Sequence, residues 1–270
     1  MEILNSKQYI NEKLNIKPVS KSRLIQTTKM KTFIKEYNLV YNKETMLYDC
    51  KGNVNLIEKG LTEFPVRFGV VNGNFICAGN KLTSLKGAPQ EVGGYFDCRY
   101  NELTSLEGAP QKVGDSFYCG YNKLKTLKGA PQEIKWGLWC NNNELETLKG
   151  APKEIGGDLH CEHNKLKTFE GAPQKIGTGI STSFINCKDN NIESFVGIPN
   201  CDKIDISHNK LKSLVGSPKV VKYKLDCSNN ELESFYGAPQ RVGDFYCNNN
   251  PKLNPPREKP NWVKDKYIIF

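Results

Sequence analysis

The sequence lacks three features that would place it in common functional classes. It has no uninterrupted apolar run long enough to span a bilayer. Its first residues, from Met1 to Lys7, lack the apolar core of a secretory signal peptide. It also lacks the phosphate-binding Walker loop, the Gly-x-Ser-x-Gly nucleophile turn and the His-Glu-x-x-His zinc motif. We therefore expect a cytoplasmic protein that is not an enzyme, uses no cofactor or metal and does not enter a membrane.

The positive charge of the chain is concentrated at its two ends. The formal net charge is +9, and residues 1–45 contain nine Lys or Arg against four Asp or Glu. Residues 251–270 contain five against two, whereas residues 46–250 contain 24 against 23. A surface that follows nucleic-acid phosphates needs a concentration of basic residues, which the long middle part lacks. Nucleic acid is therefore a poor candidate partner, and only the basic tails leave that alternative open.

The dominant feature of the sequence is a segment that repeats about every 21 residues. Cysteines at positions 77, 98, 119, 140 and 161 follow one another at intervals of 21. Each is followed three residues later by an asparagine, two residues after that by a leucine, and then by Gly-Ala-Pro. Less regular copies follow at Cys187/Asn190, Ile206/Asn209, Cys227/Asn230 and Cys247/Asn250. A fixed period in this range predicts a solenoid.

The consensus, Φ-x-Cys-x-x-Asn-x-Leu-x-x-Leu-x-Gly-Ala-Pro, resembles the leucine-rich repeat over residues 70–250. In the second copy, Phe96, Cys98 and Leu103 stand at leucine positions and Asn101 at the asparagine position. The short period resembles that of bacterial effector repeats, and the Gly-Ala-Pro form is similar to leucine-rich proteins predicted in tailed-phage genomes. The resemblance implies a mostly β fold, a leucine-rich-repeat solenoid of about nine to ten parallel-strand rungs with small caps. It further implies a phage-encoded protein that binds and inhibits a host defence or regulatory protein.

The residues of one repeat support this fold on physical grounds. Alternation in a strand directs Phe96 and Cys98 to one side and Asp97 to the other. A buried Asn101 amide can bond the free backbone groups of the following turn. The glycine of Gly-Ala-Pro provides an unusual φ, and the short return path leaves room for extended or 3₁₀ segments only.

Eight of the ten cysteines occupy the same buried position of the repeat. We expect reduced core thiols, because a free cysteine behaves as a small apolar residue. Disulfides between neighbouring rungs and metal sites are the alternatives.

The sequence divides into a leader or cap at 1–45, a solenoid at 46–250 and a C-terminal cap at 251–270. Within the leader we predict a short helix over 6–16 and a helical turn from Ser20 to Ile25. A hairpin of 39–41 with 46–48 then leads into an atypical first rung over 46–69.

Three local features accompany this division. Cys50 with Asn53 is interpreted as a degenerate copy of the repeat, and Cys201 is predicted to lie outside the cysteine positions of the repeat. The insertion at 177–183 is predicted to form a loop. Trp262, Val263 and Ile268 are predicted to cover the last rung.

The residues that alternate with the core positions are expected on an exposed, concave face. Exposed Tyr, Trp and Arg are enriched at protein-binding hot spots, so this face predicts a protein partner. An aromatic ladder without a partner, and stacking of sugars or nucleotides, are the alternatives. The candidate partner-binding residues are Tyr95, Asp97, Arg99, Tyr100, Tyr118, Tyr121, Trp139, His160, Glu162 and His163.

Two other interpretations follow from particular segments. His160, Cys161 and His163 superficially resemble a zinc site together with Cys140, but adjacent strand residues point to opposite faces and cannot converge on one ion. The basic leader suggests a second hypothesis for function, a virion-associated structural protein anchored through its N-terminal segment.

Overall fold

The computed structural model describes residues 21–177, 182–256 and 258–269. The helix predicted over 6–16 and most of the insertion at 177–183 lie outside the described residues. The described chain winds into a solenoid, and we use the word rung for one turn of it. No helix in this part of the chain is both long and apolar enough to cross a membrane.

Each regular rung contributes one short strand to each of two sheets, and neighbouring rungs pair in parallel. The eight-stranded sheet, in spatial order, contains β1 (Val40–Asn42), β2 (Leu47–Cys50), β4 (Phe68–Val71), β6 (Glu91–Val92), β8 (Lys112–Val113), β10 (Glu133–Ile134), β12 (Glu154–Ile155) and β14 (Lys175–Ile176). The eleven-stranded sheet contains β3 (Val54–Asn55), β5 (Phe75–Ile76), β7 (Phe96–Asp97), β9 (Phe117–Tyr118), β11 (Leu138–Trp139), β13 (Leu159–His160), β15 (Phe184–Asn186), β16 (Lys203–Asp205), β17 (Val220–Asp226), β18 (Arg241–Tyr246) and β19 (Tyr267–Ile268). The predicted mostly β, leucine-rich-repeat type of solenoid is confirmed.

The second strand of each regular rung was not predicted. The sequence indicated only one strand per rung, the one that contains Phe96, yet β6 lies just before it. Val92 is buried, and the backbone N–H of Gly93 donates to Val71 O at 2.8 Å in the preceding rung. This pairing satisfies backbone groups that would otherwise be buried without partners. The return path is extended, as expected.

The core is built from the predicted positions. Phe96, Cys98, Leu103 and Leu106 are all fully buried. Phe96 stacks on the phenylalanines of the two adjacent rungs, with ring centroids 5.4 and 5.5 Å apart. Stacking one rung on the next therefore buries an apolar surface that a single rung leaves open.

All ten cysteines are free and buried, as the reduced-thiol interpretation predicted. The assignment of Cys50 to a degenerate copy of the repeat was wrong, because Cys50 lies in the smaller sheet opposite Val71. Asn55 of the first rung pairs with Ile76 of the second. The residues that follow them, Leu56 and Cys77, are therefore at equivalent positions. Cys50 stands six residues before Leu56, as Val71 stands six residues before Cys77, so Cys50 is the counterpart of Val71 and not of Cys77.

The buried asparagines connect each rung to the one before it. The Nδ2 of Asn101 donates to the carbonyls of Cys98 and Arg99 in its own rung, at 3.1 and 3.2 Å. It also donates to Cys77 O at 3.0 Å in the preceding rung. Its Oδ1 accepts from the N–H of Leu82 at 3.0 Å, also in the preceding rung. The same set of four bonds occurs at Asn80, Asn122, Asn143, Asn164, Asn190, Asn209, Asn230 and Asn250.

The glycine of Gly-Ala-Pro is required for two reasons. Gly108 has a φ of 91°, in the region that disfavours side chains. A Cβ there would also lie 2.8 Å from the backbone of Leu85 in the preceding rung. The turn is closed by a hydrogen bond from Ala109 N to Leu106 O at 2.9 Å.

The N-terminal end of the described core is covered by α1 (Lys21–Glu36). Met30, Phe33 and Ile34 pack against the core, and the Phe33 ring lies 6.3 Å from that of Phe68. The predicted turn from Ser20 to Ile25 was too short for this helix. The predicted hairpin is confirmed, with β1 and β2 antiparallel and Tyr41 opposite Tyr48.

The C-terminal end is closed by β19 and the segment before it. Trp262 packs 4.8 Å from the Phe245 ring and Val263 is buried, as predicted. The prediction for Ile268 was wrong, because β19 extends the larger sheet in register. Tyr267 lies opposite Phe245 on the core side, whereas Ile268 lies beside Tyr246 on the outer face and is 38% exposed.

Candidate protein-binding face

The outer surface of the eleven-stranded sheet, here called the ladder face, carries its side chains in straight rows. Strand pairing aligns one residue from each rung, and alternation directs all of them outward. We call this alignment the first row. Its members are Asn55, Ile76, Asp97, Tyr118, Trp139, His160, Asn186, Asp205, Asp226, Tyr246 and Ile268.

The middle of the first row is a continuous stack of rings. The ring centroids of Tyr118 and Trp139 are 4.7 Å apart, and those of Trp139 and His160 are 5.1 Å apart with planes 9° from parallel. Tyr95 meets Tyr118 edge-on at 5.9 Å. Phe184 meets His160 edge-on at 5.5 Å and extends the stack. Phe184 was not among the predicted site residues, because the insertion before it interrupts the 21-residue spacing.

Asp97 departs from the expected exposure, since only 4% of it is accessible. The Arg99 guanidinium binds its carboxylate through two bonds, Nε to Oδ1 at 3.0 Å and Nη2 to Oδ2 at 2.7 Å. The same guanidinium lies 4.9 Å from the centre of the Tyr118 ring. Hydrogen bonding to Asp97 raises the pKa of Arg99, against a smaller lowering by burial. Asp97 therefore fixes Arg99 on the aromatic stack, and Arg99 provides the exposed surface.

A second row lies one residue before each repeat asparagine. Its members have a left-handed backbone, with φ between 53° and 56°. That region is entered mainly by Gly, Asn, Asp and His. Six of the eight non-glycine members after the first rung are of those types, and the other two are Tyr100 and Tyr121. The members are Tyr100, Tyr121, Asn142, His163, Asp189, His208, Asn229 and Asn249.

Tyr100 and Tyr121 therefore occupy a backbone conformation that costs stability. They are 52% and 42% exposed, and their rings stack at 4.3 Å. Nothing in the core requires tyrosine at these positions. A strained, exposed aromatic pair is a reason to search for function.

A middle row separates the two aromatic rows. It consists of Arg99, Gly120, Asn141, Glu162 and Lys188, whose carbonyls bond successive rungs. Gly120 carries no side chain, and the Asn141 side chain lies over it, with Oδ1 2.8 Å from where a Cβ of Gly120 would stand. The pKa of Tyr121 is raised, first by the Tyr100 phenol, then by burial and the Glu162 carboxylate, while Arg99 lowers it. The Tyr121 hydroxyl is thus within electrostatic reach of both charged residues.

The three histidines face carboxylates rather than one another. The Nδ1 of His163 lies 3.4 Å from Asp189 Oδ2, and that of His160 lies 3.7 Å from Glu162 Oε2. His160 packs on the ladder face while Cys161 is fully buried in the core. This opposite orientation is the reason given above against a zinc site. Among the described residues, no group of three or more His, Cys, Asp or Glu is arranged to hold a metal ion.

The later rungs of the ladder face are charged rather than aromatic. Lys224 Nζ lies 3.0 Å from Asp226 Oδ2 and 4.7 Å from the centre of the Tyr246 ring. Asp205 accepts from the N–H of Ser207 at 3.0 Å, and Asp226 accepts from that of Ser228 at 3.1 Å. The continuous ring stack is therefore confined to the earlier rungs, and Tyr246 lies apart from it with Lys224 over its ring.

Surfaces away from the ladder face pair their charges between rungs. Lys128 lies 2.9 Å from Glu107, and Lys149 lies 2.8 Å from Glu170. Hydrogen bonding to Lys128 lowers the pKa of Glu107. These paired residues stand just before the repeat glycine. In later rungs an apolar residue takes that position, and one of them, Tyr236, is 76% exposed. The nearly equal numbers of acidic and basic residues in the solenoid therefore reflect ion pairs between neighbouring rungs.

Comparison with known proteins gives little beyond this geometry. No family model matches the chain, and no curated protein matches it. Among solved structures the chain is similar to YopM from Yersinia enterocolitica WA-314, with 19% sequence identity and a TM-score of 0.48. The alignment covers 73% of this chain and 50% of that chain, so the chain spans half the length of YopM. The solenoid is assigned from its own strand registers and asparagine bonds.

Proposed function

We propose that the protein is a non-catalytic binding module that grips a protein partner with the aromatic part of its ladder face. The observation that carries this proposal is the pair of outward-facing aromatic rows, of which the first is half-buried and the second is exposed. Tyr118, Trp139 and His160 form one row, and the strained pair Tyr100 and Tyr121 forms the other. With adjacent strands about 4.8 Å apart, the four rungs from Tyr100 to His163 span about 15 Å.

The composition of this surface favours a protein over a sugar or a nucleotide. Tyr, Trp and Arg dominate the energetics of protein interfaces, and they cluster where water is excluded. The rings here are pre-stacked, so binding them costs little side-chain entropy. Their planes lie against one another, which leaves edges and narrow gaps rather than a wide flat platform for a sugar or a base.

The finer form of the proposal is a phage-encoded inhibitor that occupies a host defence or regulatory protein. Its support is the similarity of the Gly-Ala-Pro repeat to leucine-rich proteins predicted in tailed-phage genomes. The alternative, a virion-associated protein anchored by its leader, depends on residues 1–20, which lie outside the described residues.

Affinity capture from a bacterial lysate tests the proposal. The wild type is compared with Tyr118→Ala/Trp139→Ala, and with Tyr41→Ala/Tyr236→Ala as a control that removes two exposed rings elsewhere. We expect a protein retained by the wild type and the control but lost by the first variant, at equal thermal stability. Identical proteins on all three would contradict the proposal.

A further inference from the structure

Glu162 is a carboxylate on the aromatic part of the ladder face without a cation to match it. Its side chain is only 15% exposed. Its Oε2 is buried and receives no hydrogen bond from any residue that the structure describes. The sole basic nitrogen within 4.0 Å of the carboxylate among those residues is His160 Nδ1, at 3.7 Å. A buried carboxylate oxygen without a donor is costly, so a donor that arrives with a partner would gain a strong bond.

The same face contains two sites at which the chain supplies the cation itself. Arg99 is bound to Asp97 and lies over Tyr118, a ring of the next rung. Lys224 pairs with Asp226 and lies over Tyr246, again a ring of the next rung. Each site combines a carboxylate, a cation and an adjacent ring in the first row. Glu162 has the carboxylate and the neighbouring ring of His160, which stacks on Trp139, but no described lysine or arginine nitrogen within 4.0 Å. Lys188, the next residue of the middle row, lies 3.9 Å from Asp189 Oδ2 instead.

The surroundings of Glu162 fit an arginine better than a lysine. The Trp139 and His160 rings stack face to face with centroids 5.1 Å apart, so it is their edges that are open beside Glu162. A guanidinium donates in a fork to a carboxylate, whereas an ammonium is a point donor.

We propose that the partner presents an arginine side chain to the ladder face at Glu162, where its guanidinium binds the Glu162 carboxylate beside the edges of the Trp139 and His160 rings. This inference rests on the proposed function and specifies the chemistry of the partner. Arg99, already neutralised by Asp97, lies about three rungs or 15 Å away and does not repel the incoming cation strongly.

The probe is N-acetyl-arginine amide, with N-acetyl-citrulline amide as its neutral isostere. Binding is followed by the NMR shift of the Trp139 indole N–H, assigned with Trp139→Phe. We expect a saturable shift with the arginine probe and binding about tenfold weaker with citrulline, the effect of losing one charge-assisted bond. Glu162→Gln should abolish the difference. Glu144→Gln, which removes an exposed carboxylate 3.0 Å from Lys165, should preserve it.

Equal binding of the two probes, no saturable shift, or an unchanged preference in Glu162→Gln would overturn the inference. The capture experiment separates this failure from that of the proposed function. A partner lost by Tyr118→Ala/Trp139→Ala but fully retained by Glu162→Gln would contradict the arginine site alone. A partner retained by both variants would contradict the proposed function and the inference with it.

Discussion

Tyr100 and Tyr121 lie face to face, with ring centroids 4.3 Å apart, and both have a left-handed backbone. Later rungs place Asn142, Asn229 and Asn249 at the same position. Asparagine is the residue that this conformation favours, and tyrosine is not. In these two rungs the backbone is less stable than it would be with asparagine, and an exposed aromatic surface is gained. Such a loss of stability is expected at a binding site.

The double variant Tyr100→Asn/Tyr121→Asn should leave the free energy of unfolding within about 1 kcal/mol of the wild type. Relief of backbone strain, about 1 kcal/mol per residue, offsets the loss of one stacked pair. Urea denaturation measures this. Tyr118→Asn, on a regular strand, is the control and should be destabilising. A loss above about 2 kcal/mol in the double variant would mean that the tyrosines are structural.

Asn101 provides a prediction with a defined order of effects. Asn101→Ala removes four hydrogen bonds and should cost about 2–4 kcal/mol of unfolding free energy. Asn101→Asp should be worse at neutral pH, because a carboxylate oxygen would face the carbonyls of Cys77, Cys98 and Arg99 in place of a donor. Chemical denaturation of both variants gives the order. A milder effect of aspartate than of alanine would refute the described bonding.

The cysteine positions are distinguished by whether the sulfur has an acceptor. Cys98 Sγ lies 3.3 Å from Tyr118 O, whereas no described residue accepts from Cys140 Sγ. Cys140→Ser should therefore destabilise the protein by about 1–3 kcal/mol, because it buries a hydroxyl without a partner. Cys98→Ser should cost less. The melting temperatures of the two variants test this, and the reverse order would contradict the assignment.

The buried thiols predict that stability falls in alkaline solution. Burial first, then Asp202, raises the pKa of Cys201 to about 12, and burial first, then Asp226, raises that of Cys247 to about 12. The pKa of an unfolded cysteine is about 8.5, so in alkaline solution the unfolded chain releases protons that the folded chain retains. The contribution is complete below about pH 8.5 and is lost as the pH rises towards 12, by about 1.4 kcal/mol per unit for each thiol. The urea midpoints of the wild type at pH 7.5 and at pH 10 measure this decline. Cys201→Ala has one buried thiol fewer and should show a smaller decline. A wild-type midpoint that is the same at both pH values would be evidence against the prediction.

The sequence carried enough information to predict the strands of the larger sheet. Beyond the hairpin, the strands of the smaller sheet were not predicted, for a physical reason. Alternation at Phe96 and Cys98, the recurring Asn101 position and the hairpin around Asn42 each have a local signature, and all were predicted. The strand at Glu91–Val92 is two residues long and follows a turn, so no alternation can reveal it. Its pairing depends on stacking, which is a property of neighbouring rungs.

The placement of the candidate site residues on one face was predictable, but their detailed contacts were not. The alternation of side chains along a strand placed Tyr118, Trp139 and His160 on one surface, as the structure has them. It could not show that Arg99 folds back over Asp97 and buries it, because this depends on side-chain rotamers. The left-handed backbone at Tyr100 and Tyr121 could not be predicted either, because tyrosine disfavours that conformation.

The most direct test of the central claim is site-specific photocrosslinking in the lysate. Benzoylphenylalanine replaces Tyr121 on the ladder face or, as a control, Glu133 on the exposed side of the smaller sheet. If the aromatic rows grip a protein partner, position 121 will give one discrete crosslinked protein and position 133 will not. Crosslinks from position 133 alone, or the same weak products from both positions, would contradict the claim.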